Sequence, residues 1–509
     1  MILLIGGLMT TVACGDDDDD DNDDNNDDAD DDDDTADDDT GADDDDTGDD
    51  DDDDTGDDDT ADDDTGDDDT GDDDTSDDDT GDDDTPVINR EVWSYVPPEG
   101  PYHVETVGWI DDIDGDGAPE VLAHAYDSIT TPDEGDTTFC ISGAPDKGTL
   151  IWGVHPTNNN TGQISDSGGY GDRVIINSRD LNEDGYEDVL LGTAWGNRTA
   201  FALDGTDGST LWQFCTYTNP LSPDSGWIQQ IIPFPDVTGD DIPEVAFGVG
   251  SDNNSGWLIN GKTGDVVWQL NASADVLYGV TVIDDINNDG SPEAVFAGGD
   301  DEDRVFCVDG DSSVSGTVLW TATTGNNYAI AAIDDVNSDG YQDVLAGSWG
   351  TDAVVCLNGH TGAELWTSNA SVNPMRIVTL DDVNDDGIDD LAVSSMSGYA
   401  FYVIDGADGT TIWSAGASDY VWAIDAVDDI NQDGVDDVVA GGFDGYVRMY
   451  DGVDGTLLWE YKTGDAKIKT IRAVPDMTGD GRAEVVAGTQ CLDQGTSGAG
   501  TVFLLEGKP

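Results

Sequence analysis

Eight nine-residue segments place side-chain oxygens at their first, third, fifth and ninth positions. The sets are Asp112, Asp114, Asp116 and Glu120; Asp180, Asn182, Asp184 and Asp188; Asp236, Thr238, Asp240 and Glu244; and Asp285, Asn287, Asp289 and Glu293. Four more follow: Asp335, Asn337, Asp339 and Asp343; Asp382, Asn384, Asp386 and Asp390; Asp429, Asn431, Asp433 and Asp437; and Asp476, Thr478, Asp480 and Glu484. Such spacing suits a hard cation. Calcium takes six to eight oxygens at about 2.3–2.6 Å, and a glycine at the sixth position permits the turn that points alternate side chains inward. In the loop from Asp335 the ligands would be Asp335, Asn337, Asp339, the Tyr341 carbonyl and Asp343. No His or Cys lies in any loop, so zinc is excluded. Thr238, with Asp241 in place of Gly, and Thr478 predict weaker binding in the loops from Asp236 and Asp476. The expectation is up to eight calcium ions with a structural role, because carboxylates converging on one point repel until a cation joins them.

The loops begin 68, 56, 49, 50, 47, 47 and 47 residues apart, and each unit carries a second signature, as in VVCLNGHTGAELW ending at Trp366. Trp93, Trp152, Trp212, Trp268, Trp320, Trp366, Trp413 and Trp459 repeat with the loops. One unit, Tyr328 to Thr367, reads as four short strands rich in β-branched residues with Gly or Asp turns between them. A period near 47 with four strands predicts propeller blades rather than paired helices. Trp93 precedes the first loop, while the last unit ends at TVFLLEG without its own Trp. The N-terminal strand is therefore expected to complete the last blade and close the ring, removing two open sheet edges. The fold class expected is all-β: a single eight-bladed β-propeller over residues 90–509.

The acidic loops resemble the FG-GAP or VCBS repeats of integrin α-type propellers, and the DGxxGxxLW pattern resembles the tryptophan-docking repeat of quinoprotein-like (PQQ-like) propellers. The resemblance spans about 420 residues and implies a calcium propeller. It implies little about a substrate.

Charge bounds the partners. The chain has 15 basic and 117 acidic residues, a net −102. Residues 16–85 hold 46 Asp and no basic residue, which leaves a net −56 on the rest. Nucleic-acid binding and basic attachment to anionic lipid both need clustered Lys and Arg, so both are excluded. Residues 16–85, with TGDDD repeated from Thr55 to Thr85, have no apolar residue larger than Ala to bury against their chain entropy, and the stretch 15–89 reads as a disordered, self-repelling Asp-rich tether. Residues 1–14 read as an export signal, and Thr11-Val12-Ala13-Cys14-Gly15 resembles a bacterial lipobox with Cys14 as the lipidated residue. An exported lipoprotein of the outer membrane or cell surface is expected, or a secreted protein, with membrane contact only through that lipid. Cys140, Cys307 and Cys356 share one place in three repeats where Ala202, Leu258, Val403, Met449 and Leu504 stand in others. They read as free core thiols. A Cys215–Cys491 bridge is possible.

No catalytic arrangement is evident around His103, His124, His155 or His360. Longer connections at 126–138, 153–172, 213–226 and 490–500 fall on the face opposite the acidic loops. There Tyr126, His155, Tyr170, Trp195, Arg198, Tyr217 and Trp227 are candidate contacts to a protein or carbohydrate ligand. Seven residues before each loop stand Glu105, Arg173, Gln229, Tyr278, Tyr328, Met375, Trp422 and Lys469. Two residues later every unit has Val or Ile. A varied position beside a uniform one suggests a ring at the axial mouth, or drift at a solvated rim. The expected function is a non-enzymatic binding or adhesion module. Alternatives are a calcium-dependent polysaccharide lyase or hydrolase, with His155, Tyr170 or Lys469 as base, and an architectural envelope protein. A quinone-dependent dehydrogenase is disfavoured because the chain has no adjacent cysteine pair.

Overall fold

The computed structural model describes residues 90–98, 102–127, 136–157, 174–194, 198–216, 226–250, 253–272, 276–299, 303–464, 466–490 and 500–509. They form eight four-stranded antiparallel sheets, the blades of a propeller ring, and the described residues contain no helix. In the fifth blade the strands are Asn327–Ile333, Asp343–Ser348, Ala353–Leu357 and Glu364–Thr367, the four expected across Tyr328 to Thr367. The first strands of successive blades pack side by side around the axis.

Ring closure follows the order of the tryptophans. Glu91–Tyr95 pairs with Val502–Leu505, so the first strand of the chain is the outer strand of the last blade. A register common to all eight blades sets each Trp opposite the slot residue: Cys140↔Trp152, Ala202↔Trp212, Leu258↔Trp268, Cys307↔Trp320, Cys356↔Trp366, Val403↔Trp413, Met449↔Trp459 and Leu504↔Trp93. Every slot residue is buried, and Cys140, Cys307 and Cys356 are free thiols. Cys215 is also buried, while Cys491 lies outside the described residues.

Second strands sit between neighbouring sheets and are buried on both faces, as in Asp343–Ser348 and Asp390–Ser395. The fourth strands cover the outside with one face only, which is why Leu457–Lys462 alternates around Trp459. Blades are joined by the Trp of one and the turn of the next: the indole N–H of Trp152 donates to the Gly205 carbonyl at 2.8 Å, Trp212 to Gly261 at 2.6 Å, and Trp366 to Gly406 at 2.9 Å. Glycine is required there. A Cβ on Gly205, Gly261 or Gly406 would lie 1.9–2.0 Å from the carbonyl oxygen at the eighth loop position. Trp268 is the exception, its indole N–H having no partner among the described residues. The turn it faces runs from Asp309 to Trp320, three residues longer than the turn from Asp204 to Trp212.

Candidate functional site

The acidic loops join the first and second strands of each blade, and the DG turns join the third and fourth. In an antiparallel sheet ordered one to four, both connections lie at the same end. Hydrogen bonds link the two. Asn182 donates from Nδ2 to Asp204 at 3.0 Å, Asn384 to Asp405 at 2.9 Å and Asn431 to Asp451 at 2.9 Å, each a contact from the third loop position to the turn. In the third and fifth blades Asn260 and Asn358 take the turn position and donate to Asp240 and Asp339. These turn residues escaped the sequence reading. The signal was an Asp or Asn before the turn glycine in six of the eight repeats.

Within a loop the first Asp is the hub. Asp335 accepts the backbone N–H of Asp339 at 2.9 Å and of Gly340 at 2.7 Å. This requires left-handed backbone at the fourth and sixth positions, supplied by Ser338 (φ 61°) and Gly340 (φ 97°). The loop from Asp236 does the same without its second glycine: Asp241 adopts φ 70° and donates its N–H to Asp236 at 2.8 Å.

The ninth residue is a brace. Asp343 is fully buried, accepting Val336 N–H with one oxygen and Gly359 N–H with the other, both at 2.9 Å. Asp188, Asp390, Asp437 and Glu293 repeat that double contact between loop and turn. Burial pushes Asp188, Asp343, Asp390 and Asp437 up to about 6, and Glu120, Glu244, Glu293 and Glu484 up to about 7.

Three loops bring three carboxylate oxygens within 4.8 Å of one another: Asp112, Asp114 and Asp116; Asp236, Asp240 and Glu244; and Asp476, Asp480 and Glu484. The last two are the threonine loops, and there the ninth residue, a Glu, belongs to the cluster. Glu244 is fully buried, and its Oε2 has no partner among the described residues, an acceptor left for a cation. This donor set fits a hard ion. Asp236, Thr238, Asp240 and Glu244 would hold it in the third blade, with their counterparts elsewhere.

At the other end of the sheets lie the strand 2–3 and blade-to-blade connections. His155 follows the fourth strand of blade one, Arg198 precedes the third strand of blade two, and Trp227 opens blade three, so all three belong to this face. Tyr170, Arg173, Trp195 and Tyr217 lie outside the described residues, as does the side chain of Tyr126.

The residues seven before each loop share a cause. In every blade where the position is described, the register between first and second strands shifts there, so Glu105, Gln229, Tyr278, Tyr328, Met375, Trp422 and Lys469 are each the extra residue of a β-bulge. A bulge re-aims one side chain without disturbing the next pair, and the Val or Ile two residues later is buried in every blade. Neighbouring bulge residues meet. Tyr278 stacks on Tyr328 with centroids 4.2 Å apart, and Tyr328 on Trp349 at 4.0 Å. Trp422 stacks on Phe443 at 5.3 Å, with the Lys469 ammonium 4.3 Å from the Trp422 centroid. Trp349 and Phe443, from strand 2–3 connections, were not singled out by sequence.

A family model described as outer membrane protein assembly factor BamB matches residues 301–496. No curated protein matches the chain. Among solved structures it is similar to Saccharomyces cerevisiae Sqt1 (13% identity, 83% of this chain and 100% of that one, TM-score 0.55) and to the Dos1 propeller (11%, 82% and 95%, 0.54). The C-terminal WD40 domain of Sif2 is also similar (12%, 82% and 98%, 0.51). These likenesses show the fold: a β-propeller whose later blades carry BamB-like repeats.

Proposed function

We propose that this protein is an exported, surface-tethered, calcium-stabilised propeller acting as a non-enzymatic binding or adhesion module, with its protein or glycan ligand on the face opposite the acidic loops. The bulge ring carries the reading. In the seven blades where the position is described, a uniform scaffold presents one re-aimed side chain of varied chemistry around the axial mouth, an arrangement suited to recognition. The BamB-like match supports an envelope location, and the lipobox-like Cys14 supports a lipid anchor. Calcium fits the eight loops as a structural ion.

Purified, fluorescently labelled full-length protein is expected to bind intact bacterial cells in calcium and to lose that binding on chelation. Absence of binding under both conditions would overturn the module reading and leave an architectural role.

A further inference from the structure

The chain has six lysines, and they divide by face. Lys147, Lys262 and Lys508, on the acidic-loop face, each pair with a carboxylate: Asp116 at 2.5 Å, Glu183 at 2.8 Å and Asp480 at 2.5 Å. Lys462, Lys467 and Lys469 cluster where blade seven passes to blade eight, on the opposite face, and none has a carboxylate partner among the described residues. Each lies over an aromatic ring instead: Lys462 4.6 Å from the Tyr446 centroid, Lys467 4.6 Å from Phe443, and Lys469 4.3 Å from Trp422. Trp422, Phe443 and Tyr446 are half-buried, so their rings are partly open to solvent.

From this arrangement we infer an anion-binding site on blades seven and eight, made by Trp422, Phe443, Lys462, Lys467 and Lys469, whose ligand is a carboxylate-bearing polysaccharide. The inference deepens the binding-module reading and rests on it. Cation–π contact orients an ammonium without neutralising it. Three ammoniums therefore stand together in a chain of 117 acidic residues with no described carboxylate in salt-bridge reach, while the neighbouring Asp444 and Glu460 are engaged by Arg448. Opposite charge on the ligand answers the ammoniums, and the ring faces need a flat, partly apolar surface to cover them. A sugar ring bearing one carboxylate supplies both. Sparse charge matters as well, because screening over about 8 Å hides the rest of the acidic domain from an isolated carboxylate. A densely charged polyanion would meet that repulsion along its whole length.

Affinity electrophoresis of the full chain in calcium, through gels holding carboxymethyl-dextran or neutral dextran, tests the site. Retardation by carboxymethyl-dextran alone is expected. Apparent affinity should fall at least about tenfold, or about 1.4 kcal/mol, in Lys467→Gln/Lys469→Gln and in Trp422→Ala, and should hold in Lys262→Gln. Melting curves in calcium establish that each variant is folded. Equal retardation by both gels, no retardation, or undiminished binding by the folded variants would overturn the inference. Equal or tighter binding to poly-glutamate would also overturn it and assign the patch to an acidic peptide. If the labelled chain still binds cells while carboxymethyl-dextran fails to retard it, the ligand class falls and the module reading stands. Loss of both removes both.

Discussion

The two ends of the blades obey different rules. At the acidic end the same atoms recur in blade after blade: a hub Asp on two backbone N–H groups, a buried ninth carboxylate and, in six of the eight blades, a turn glycine whose N–H donates to it. At the opposite end one bulge recurs, but its side chain runs through Glu105, Gln229, Tyr278, Tyr328, Met375, Trp422 and Lys469. The lysines repeat the division, with carboxylate partners on one face and aromatic partners on the other. Repetition of whole hydrogen-bond sets is what holding a ring together requires. Repetition of a backbone device with a free choice of side chain is what recognition requires.

The comparison predicts that the acidic end governs stability, most strongly through its ions. Removing calcium should lower the melting temperature by more than any single substitution, because each ion at a hundredfold excess over its dissociation constant contributes about 2.7 kcal/mol. Differential scanning calorimetry of the full chain in calcium and in chelator measures it. Residues 16–85 contain no apolar residue larger than Ala, so the transition is expected to report the propeller. An unchanged melt in chelator would break the assignment of calcium to this face.

Next in size is the difference between brace and ligand. Asp343→Ala leaves the buried Gly359 N–H and the part-buried Val336 N–H without an acceptor, which should cost about 2–4 kcal/mol even in chelator. Asp339→Ala, at the more open fifth position, should destabilise chiefly when calcium is present. Urea denaturation of both variants with and without calcium separates the roles. Equal losses for both in chelator would mean that the ninth position is no special brace.

Much of this was legible in the sequence, for a physical reason. Trp93 standing ahead of the first loop, with no Trp after the last, left one strand and one vacancy that only ring closure reconciles. The three Cys opposite Trp152, Trp320 and Trp366 marked a buried slot because only apolar Ala, Leu, Val and Met share it in the other blades. The brace was hidden because its partners are backbone N–H groups: nothing in the identity of Asp343 says that its oxygens are taken by Val336 and Gly359. The bulges were hidden likewise, since a register shift leaves a varied position but no residue type. The aromatic stacks lie in blades four, five and seven, away from the inserted connections, because strand ends at fixed offsets bring Trp349 onto Tyr328 and Phe443 onto Trp422.

Acidity should act with opposite sign in the two metal states. The buried ninth carboxylates, raised to about 6 for Asp343 and about 7 for Glu293, bind protons more readily folded than unfolded, where values near 4 apply. In chelator their contribution is complete below about pH 4 and is lost as pH rises through 6 to 7, so the melting temperature should fall from pH 5 to pH 8. His124, buried against Thr138 and held at about 3, opposes this, its contribution being lost as pH falls below about 6.5, but it is one group against eight. In calcium the ions compete with protons, and the slope should reverse. A melting series across pH with and without calcium tests the reversal, and parallel slopes would break it.

The smallest effect separates blades within the acidic end. Lys147 reaches Asp116 at 2.5 Å and Asp114 at 3.3 Å, and Lys508 reaches Asp480 at 2.5 Å, so the first and last blades carry an internal cation at loops whose carboxylates already converge. These are the blades on either side of the ring closure. An ammonium relieves part of the carboxylate repulsion that the other loops leave to calcium, which would let the closing strand pair before metal arrives. Both lysines are well exposed, and exposed pairs contribute little. Lys147→Ala and Lys508→Ala should therefore lower the melting temperature by about one or two degrees in chelator and leave it unchanged in calcium, where the ion takes over. In the same two variants calcium should bind the affected loop more tightly, because it no longer displaces a resident charge. Isothermal titration of each variant beside the parent reads this directly. If neither lysine changes the affinity of any site, the first and last blades fill with calcium like the rest.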